Sequence, residues 1–386
     1  MKINKRFGFN LIGFATANFG LGISLRNTAA LLELAGYSFC VLDLDPGGNR
    51  TGHDLSMRKH FLQAGEPLPY PVNLFHLNPP GLEGLARDLP GLVETRGRMN
   101  VCVPFWELPR LPLAWRPPLR ALDLLLAPSR FVQAALEEAV PEVPCLYYRQ
   151  PLPLLPARPD RALWGLPPDR VAFLFSFDVS SGIQRKNPVA VLQAFRAAFP
   201  AGAGPAGPLL VIKVNNAGLS AEAAEVVERF KELAASLVPE VRVVDRSLPY
   251  AEVLSLYASC DVYVSLHRGE GLGLGLMECM ALGKPVIGTA WSGNMDFMDE
   301  HNSCLVPYTL VPVAEGTQYR AMSQGLDQVW AEPSLEEAAR WMATLADSPG
   351  LRAEIGARAQ GALERYREEA DKGSVFAEIR NRAPVP

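Results

Sequence analysis

Apolar runs rich in β-branched and aromatic residues alternate along this chain with stretches of helical period. Residues 7–15 read as a strand, 23–34 as a helix and 38–44 as a second strand. That order is a βαβ unit and implies a parallel sheet with helices on its faces. Residues 72–77 and 100–105 continue the strands, and 129–138 form a helix opened by Ser129 as its cap. Residues 151–159 then carry four prolines in nine positions. Each proline removes a backbone donor, so neither a helix interior nor a central strand fits there. A second series follows, with strands at 170–177, 209–214, 241–244 and 262–266 and helices at 188–199, 221–237 and 251–258. Ser334-Leu-Glu-Glu337 is a capping box opening a helix whose apolar face is Leu335, Ala338, Met342 and Leu345, and helical sequence runs on to about 382. The pattern predicts an α/β chain of two Rossmann-like lobes. The expected divisions are an N-terminal domain at 1–152, a Pro-rich linker at 153–169, a C-terminal domain at 170–360, and a helical segment at 361–386 that packs back on the first domain.

A length of 386 residues agrees with two domains, and 48% hydrophobic with 20% charged residues is the balance of a globular protein with a large core. The formal net charge of -4 gives no reason to expect nucleic acid, which calls for a concentrated basic surface. Six cysteines form no C-x-x-C pair, and five histidines have no H-x-x-x-H or H-E-x-x-H spacing, so neither a metal nor a metalloprotease site is expected. The first six residues lead into a strand-like run instead of an apolar signal core, and no apolar stretch reaches about 18 residues. A cytoplasmic protein without a cofactor is the expectation.

Open parallel sheets bind ligands beyond the carboxyl ends of their strands, so the polar residues there carry the candidate chemistry. After the strand at 262–266 comes His-Arg-Gly-Glu270-Gly271-Leu272-Gly273-Leu274-Gly-Leu-Met-Glu278, and then Ala281-Leu-Gly-Lys-Pro-Val-Ile287. The glycines let a ligand approach the backbone, and a helix starting there aims N–H groups at an anion such as a diphosphate. Glu270 and Glu278 flank the turn and can accept hydrogen bonds from hydroxyls at opposite ends of an elongated ligand. Read alone, the same residues also suit a close-packing turn with solvated glutamates. The stretch resembles the E-x7-E signature of retaining family-4 glycosyltransferases of the GT-B fold. The resemblance implies that Glu270 contacts the donor sugar and Glu278 the nucleotide ribose, beside Gly271, Leu272, Gly273 and Leu274.

Arg185-Lys186-Asn187-Pro188 follows the strand at 170–177 and a polar loop. Cations at a helix N-terminus oppose its dipole at a cost of about 0.3–1 kcal/mol, which a bound phosphate would reverse. The alternative is a solvated pair on an exposed first turn. The motif is similar to the Arg and Lys that hold the donor diphosphate in family 4, which implies catalytic roles for Lys186 and Arg185 together with Glu270. One departure is Ser180, which stands where the family's commonest form has an Arg. Gly20 and Gly22, in the loop after the first strand, resemble the glycine-rich loop near the donor phosphates. They also approach a dinucleotide fingerprint with Asp43 or Asp45, except that Leu25 stands where the third glycine belongs.

Asp43-Leu-Asp45 ends a parallel strand and reads as a strand-end polar pair, not a metal site. Asn73-Leu-Phe-His76-Leu-Asn-Pro79 and Phe105-Trp-Glu107-Leu-Pro-Arg110 resemble acceptor-side loops of the family, which makes His76 and Glu107 candidate acceptor contacts. A hydrogen-bonded structural histidine is the competing reading of His76. Ser292-Gly-Asn294 resembles a further donor loop, implying that Asn294 helps hold the sugar, while a plain Gly-Asn turn fits its residue types equally. The resemblance as a whole implies metal-independent, retaining transfer of a sugar from a nucleotide-diphosphate donor to a carbohydrate or glycolipid acceptor in bacterial cell-surface polysaccharide synthesis. The site would lie between the lobes, and loose association with the inner face of the membrane is compatible with it. Two other classes stay open: another GT-B or Rossmann enzyme, such as a sugar-nucleotide epimerase or an NAD-dependent oxidoreductase, and a non-catalytic sugar-nucleotide-binding protein.

Overall fold

A computed structural model of the protein describes residues 7–44, 54–63, 65–88, 91, 97–153, 157–200, 207–238, 240–323 and 325–384. Asp45, His53 and residues 154–156 of the proline-rich stretch lie outside the described residues. The chain divides into two units: Met1–Pro153 with Met322–Leu326 and Tyr366–Pro386, and Leu154–Ala321 with Asp327–Arg365.

In the first unit the order is β1 (Gly8–Gly13), α1 (Gly20–Leu34), β2 (Ser38–Asp43), β3 (Val72–His76), α2 (Pro79–Asp88), β4 (Met99–Cys102), α3 (Arg116–Arg120), β5 (Leu124–Ala127), α4 (Arg130–Ala139) and β6 (Cys145–Tyr147). All six strands are parallel, in the order β2-β1-β3-β4-β5-β6. Sequence reading missed β5 and β6. Leu124, Leu125, Leu126 and Ala127 are all buried, so the run shows no alternation to distinguish a strand from a buried helix. The strand expected at 100–105 ends at Cys102, just before Pro104, which has no N–H to give to a ladder.

Within this sheet a file of polar side chains crosses the strands at one level. Asn10, Cys40, Asn73 and Asn100 are register partners on β1, β2, β3 and β4. Cys40 Sγ donates to Asn10 Oδ1, Asn10 Nδ2 to Asn73 Oδ1 at 2.8 Å, and Asn73 Nδ2 to Asn100 Oδ1 at 2.9 Å. Paired in this way, the amides avoid the desolvation cost of a buried, unbonded polar group. The surrounding core includes Phe9, Leu11, Val41, Leu74, Val101 and Leu124.

The second unit runs β7 (Ala172–Asp178), α5 (Ile183–Lys186), α6 (Pro188–Ala198), β8 (Leu209–Asn215), α7 (Ala221–Leu237), β9 (Arg242–Val244), α8 (Tyr250–Ser259), β10 (Val262–Ser265), α9 (Leu274–Ala281), β11 (Val286–Thr289) and β12 (Cys304–Val306). Its six strands are again parallel, in the order β12-β11-β10-β7-β8-β9. Beyond β12 an antiparallel pair, β13 (Tyr308–Pro312) and β14 (Val329–Pro333), encloses the short helix α10 (Gln318–Met322). This insertion was not foreseen from the sequence. Half of the capping box forms: Ser334 Oγ accepts from Glu337 N at the start of α11 (Leu335–Asp347), whose Ala338, Met342 and Leu345 are fully buried, while Ser334 N donates to Pro307 O and the Glu337 carboxylate pairs with Arg340. Helix α12 (Pro349–Asp371) and α13 (Ser374–Arg382) follow, and α13 places Phe376 and Ile379 in the core of the first unit.

Candidate active site

Strand order decides which loops meet. β11, β10 and β7 are neighbours, so the chain segments leaving their carboxyl ends, at 290–296, 266–273 and 178–187, converge at one edge of the second sheet. Asn187 turns the β7 segment. It adopts a left-handed conformation (φ 57, ψ 48) that asparagine tolerates better than most residues, and its Nδ2 donates to Leu266 O at 3.0 Å. That turn separates α5 from α6. Arg185 and Lys186 therefore occupy the last turn of a one-turn helix, not the first turn of α6, and the expectation of cations placed against a helix dipole is corrected accordingly.

The solvated-pair alternative fails as well. Lys186 Nζ donates to Glu270 Oε1 at 2.5 Å, and Arg185 Nη1 stands 3.4 Å from Glu270 Oε2. Arg185 is 2% exposed. Its Nε donates to the Tyr319 hydroxyl at 2.7 Å, Nη1 to Gly269 O at 2.6 Å and Nη2 to Ser181 O at 3.0 Å. Ser180, the departure noted in the sequence, is exposed and donates N–H and O–H to Asp178 Oδ1, which caps the short turn after β7. Burial alone would raise the Glu270 carboxyl, but Lys186 and Arg185, with help from His267, hold it down at about 2. It is a carboxylate throughout the physiological range.

Glu278 is the opposite case. It lies in α9, 5% exposed, and accepts a hydrogen bond from the Tyr250 hydroxyl. Burial dominates over that bond and raises its carboxyl from 4.5 to about 7. The fold favours the protonated form, so the stability Glu278 contributes is complete below 4.5 and is lost as pH rises through 7. Between about pH 5 and pH 8 the melting temperature of the ligand-free protein therefore falls relative to that of Glu278→Gln, and parallel melting profiles would refute this.

Gly273 caps α9 in a left-handed conformation (φ 97), and no side chain caps the helix. The close-packing reading of the glycines has a basis here. A Cβ on Gly275 would meet the Tyr263 hydroxyl at 2.6 Å, and one on Gly293 would meet Gly271 O at 2.3 Å and Leu272 Cα at 2.8 Å. Gly293 N donates to Glu270 O and Ser292 Oγ accepts from Glu270 N, so the β11 loop is bonded to the backbone of the glutamate itself. Gly293→Ala must displace residues 270–272, and at least a tenfold loss of turnover is expected from a shift of about 1 Å; unaltered turnover would show that this backbone has no part in the chemistry. Asn294 is fully buried. Its amide donates to Thr289 O and its Oδ1 faces His267 Nε2 at 3.0 Å, so it fastens the loop from within. Sequence reading had not singled out His267 or Arg268. Their adjacency to Glu270 was the available signal.

The first unit assembles its own strand-end residues. Gly22 lies in α1, where a Cβ would meet Ala17 O at 2.5 Å and Phe14 O at 2.6 Å, whereas Gly20 is exposed at the start of the helix. Asp43 accepts from Thr16 N through Oδ1 and from Thr16 Oγ1 through Oδ2, so both oxygens bind the glycine-rich loop. No group of three or more His, Cys, Asp or Glu able to hold a metal occurs among the described residues. His76 is fully buried at the end of β3, and burial pushes its imidazole down to about 3. Ser24 Oγ lies 2.8 Å from Gln150 Oε1 and 3.1 Å from His76 Nδ1, linking the three side chains in one buried file. His76 Nε2 is buried and has no hydrogen-bond partner among the described residues. Glu107 is half-buried after β4, beside Trp106, whose Nε1 donates to Arg110 O.

Two parallel-sheet, Rossmann-like units of this kind define the GT-B fold. Among solved structures the chain is similar to sucrose-phosphate synthase of Thermosynechococcus elongatus (TM-score 0.68, 16% identity, 98% of this chain and 100% of that one). It is also similar to Anabaena HepE in complex with UDP and glucose (0.60, 15%, 97% and 100%) and to a glycosyltransferase of Rickettsia africae ESF-5 (0.63, 13%, 96% and 97%). Residues 188–316 match the sequence model of the family described as Glycosyl transferases group 1. No curated protein matches the chain. No helix among the described residues is long and apolar enough to cross a membrane.

Proposed function

We propose that this protein is a retaining, metal-independent glycosyltransferase that uses a nucleotide-diphosphate sugar. The observation that carries the reading is Lys186 paired with Glu270 beside the start of α9, which no side chain caps, Glu270 and α9 lying within residues 188–316 matched by the Glycosyl transferases group 1 model. The diphosphate lies against Lys186 and the N–H groups of residues 273–275, the donor sugar against Glu270, and the ribose hydroxyls against Glu278. Transfer proceeds on one face. The bond from the anomeric carbon to the phosphate oxygen breaks, the acceptor oxygen bonds to the same face of that carbon, and its proton passes to the departing phosphate. Catalysis then consists of stabilising the leaving diphosphate. HepE, which shares the fold, was solved with UDP and glucose, in keeping with such a donor. A carbohydrate or glycolipid acceptor, contacts to it from His76 and Glu107, approach of Gly20 and Gly22 to the phosphates, a role in bacterial cell-surface glycan synthesis, and a cytoplasmic protein resting loosely on the membrane belong to the same proposal.

The dinucleotide reading is disfavoured by Leu25 in place of the third glycine, while Asp43 is engaged by Thr16 through both oxygens and Asp45 lies outside the described residues. Thermal shift against UDP-, GDP- and dTDP-sugars and NAD(H) tests the choice, since a ligand that binds the native state raises its melting temperature. A sugar nucleotide is expected to stabilise the fold. Stabilisation by NAD(H) alone would overturn the reading. With the donor so found, transfer or hydrolysis that survives EDTA and retains the anomeric configuration is expected, and binding without turnover would make this a binding protein.

A further inference from the structure

Arg185 is a cation in the site with no side-chain nitrogen left unengaged. Nε, Nη1 and Nη2 each donate within the protein, and the guanidinium lies 5.6 Å from the centre of the Tyr319 ring. The backbone of Arg185 is committed as well, its carbonyl accepting from Arg268 N at 2.8 Å. Tyr319 comes from α10, inside the insertion between β13 and β14, and the matched family stretch ends at 316, before it. Its ring packs on Gly182, where a Cβ would meet Tyr319 Cε2 at 2.7 Å. The same insertion grips the other half of the site. Arg268, two residues before Glu270, donates to both oxygens of Glu332 at 2.7 and 3.0 Å, while Nη1 donates to Gln184 O at 2.8 Å. Arg268 O accepts from Ala331 N at 2.9 Å, and its guanidinium lies 5.0 Å from the centre of the Trp330 ring.

We propose that Arg185 and Tyr319 are positioning residues, and that the β13–α10–β14 insertion is a brace that sets Lys186 and Glu270 against the donor, Lys186 alone presenting its charge to the diphosphate. The inference rests on the glycosyltransferase reading and deepens it. A guanidinium that bonds two loop carbonyls and a tyrosine fixes the spacing of the loops after β7 and β10. The Arg268–Glu332 pair fixes their height against the hairpin. An ammonium on a flexible stem is then held where a phosphate will arrive.

The test uses Tyr319→Phe, which removes one hydroxyl and no charge, and Glu332→Gln, which loosens the brace from its other end. With the sugar nucleotide that stabilises the wild type, each variant is expected to lose about tenfold in kcat, with donor KM within about threefold. The double variant Arg185→Ala/Tyr319→Phe should be no worse than Arg185→Ala. Wild-type kcat per folded molecule, with only the melting temperature lowered, would overturn the proposal. So would Arg185→Ala abolishing binding of inorganic pyrophosphate while Tyr319→Phe binds it normally, which would make Arg185 a phosphate ligand. If no sugar nucleotide binds the wild type, the enzymatic reading has failed and the brace is judged in the ligand-free protein. There the Lys186 ammonium resonance in nitrogen-15 NMR, slowed in exchange by its bond to Glu270, should broaden in Tyr319→Phe, and an unchanged resonance would sink it.

Discussion

Lys186→Ala is expected to lower turnover with the true donor roughly 100- to 1,000-fold, the cost of removing one preorganised group, about 3–4 kcal/mol, from the developing charge of a leaving group. Lys186 is the partly exposed member of the cation pair, its side chain 19% accessible, and among the described residues Glu270 alone holds its ammonium by a side-chain hydrogen bond. A diphosphate can take up the remaining ammonium protons without dismantling anything. The fold should tolerate the change because Arg185 continues to neutralise Glu270. Steady-state kinetics on a variant of unchanged melting temperature is the measurement, and wild-type kcat would remove Lys186 from the mechanism. Lys186→Arg is a useful companion, since a planar fork does not reproduce a compact charge at this position and is expected to restore only part of the rate.

Glu270→Ala is expected to cost stability as well as turnover. The carboxylate is 7% exposed between two cations, one of them 2% exposed, and deleting it leaves buried positive charge without its counterion. Breaking a buried pair from one side typically costs about 3–5 kcal/mol, seen here as a lower denaturant midpoint. Glu270→Gln keeps the shape and should recover part of the loss, separating charge from packing. The pH dependence has a definite sign. A carboxyl lowered from 4.5 to about 2 contributes stability that is present above 4.5 and lost as pH falls through 2. The gap between wild type and Glu270→Gln should therefore close in strong acid, and a gap that is constant with pH would show that the ion pairs do not stabilise the fold.

The βαβ series was legible because each unit writes a period into the chain, and the glycine-rich turn with its two glutamates was legible because its residues are close in sequence. Arg185 was not. Its meaning depends on Tyr319, 134 positions away, in an insertion whose strands carry no clean alternation: in β13, Leu310 is exposed while its neighbours Thr309 and Val311 are exposed or intermediate. Nor does sequence distinguish a buried arginine that bonds carbonyls from one that awaits a phosphate. Glu270 and Glu278 look equivalent in a spacing rule, yet one is charged and the other titrates near neutrality, because only one has cations beside it. Asn294 shows the same limit, since a turn asparagine and a loop fastener have one spelling.

The asparagine file in the first sheet has a consequence for assembly. Parallel strands distant in sequence carry interchangeable apolar side chains, so hydrophobic burial alone penalises a slipped pairing weakly. A slip of one residue between β1 and β3 would strand the Asn10 and Asn73 amides in an apolar layer, at about 1–3 kcal/mol for each unmet group. The file thus acts as an index mark, admitting one alignment of four strands and through it fixing the level at which Gly13 and His76 emerge at the sheet edge. Replacing Asn73 alone with leucine should therefore lower the denaturant midpoint, since Asn10 and Asn100 each lose a buried partner, and an unchanged midpoint would deny the file this role.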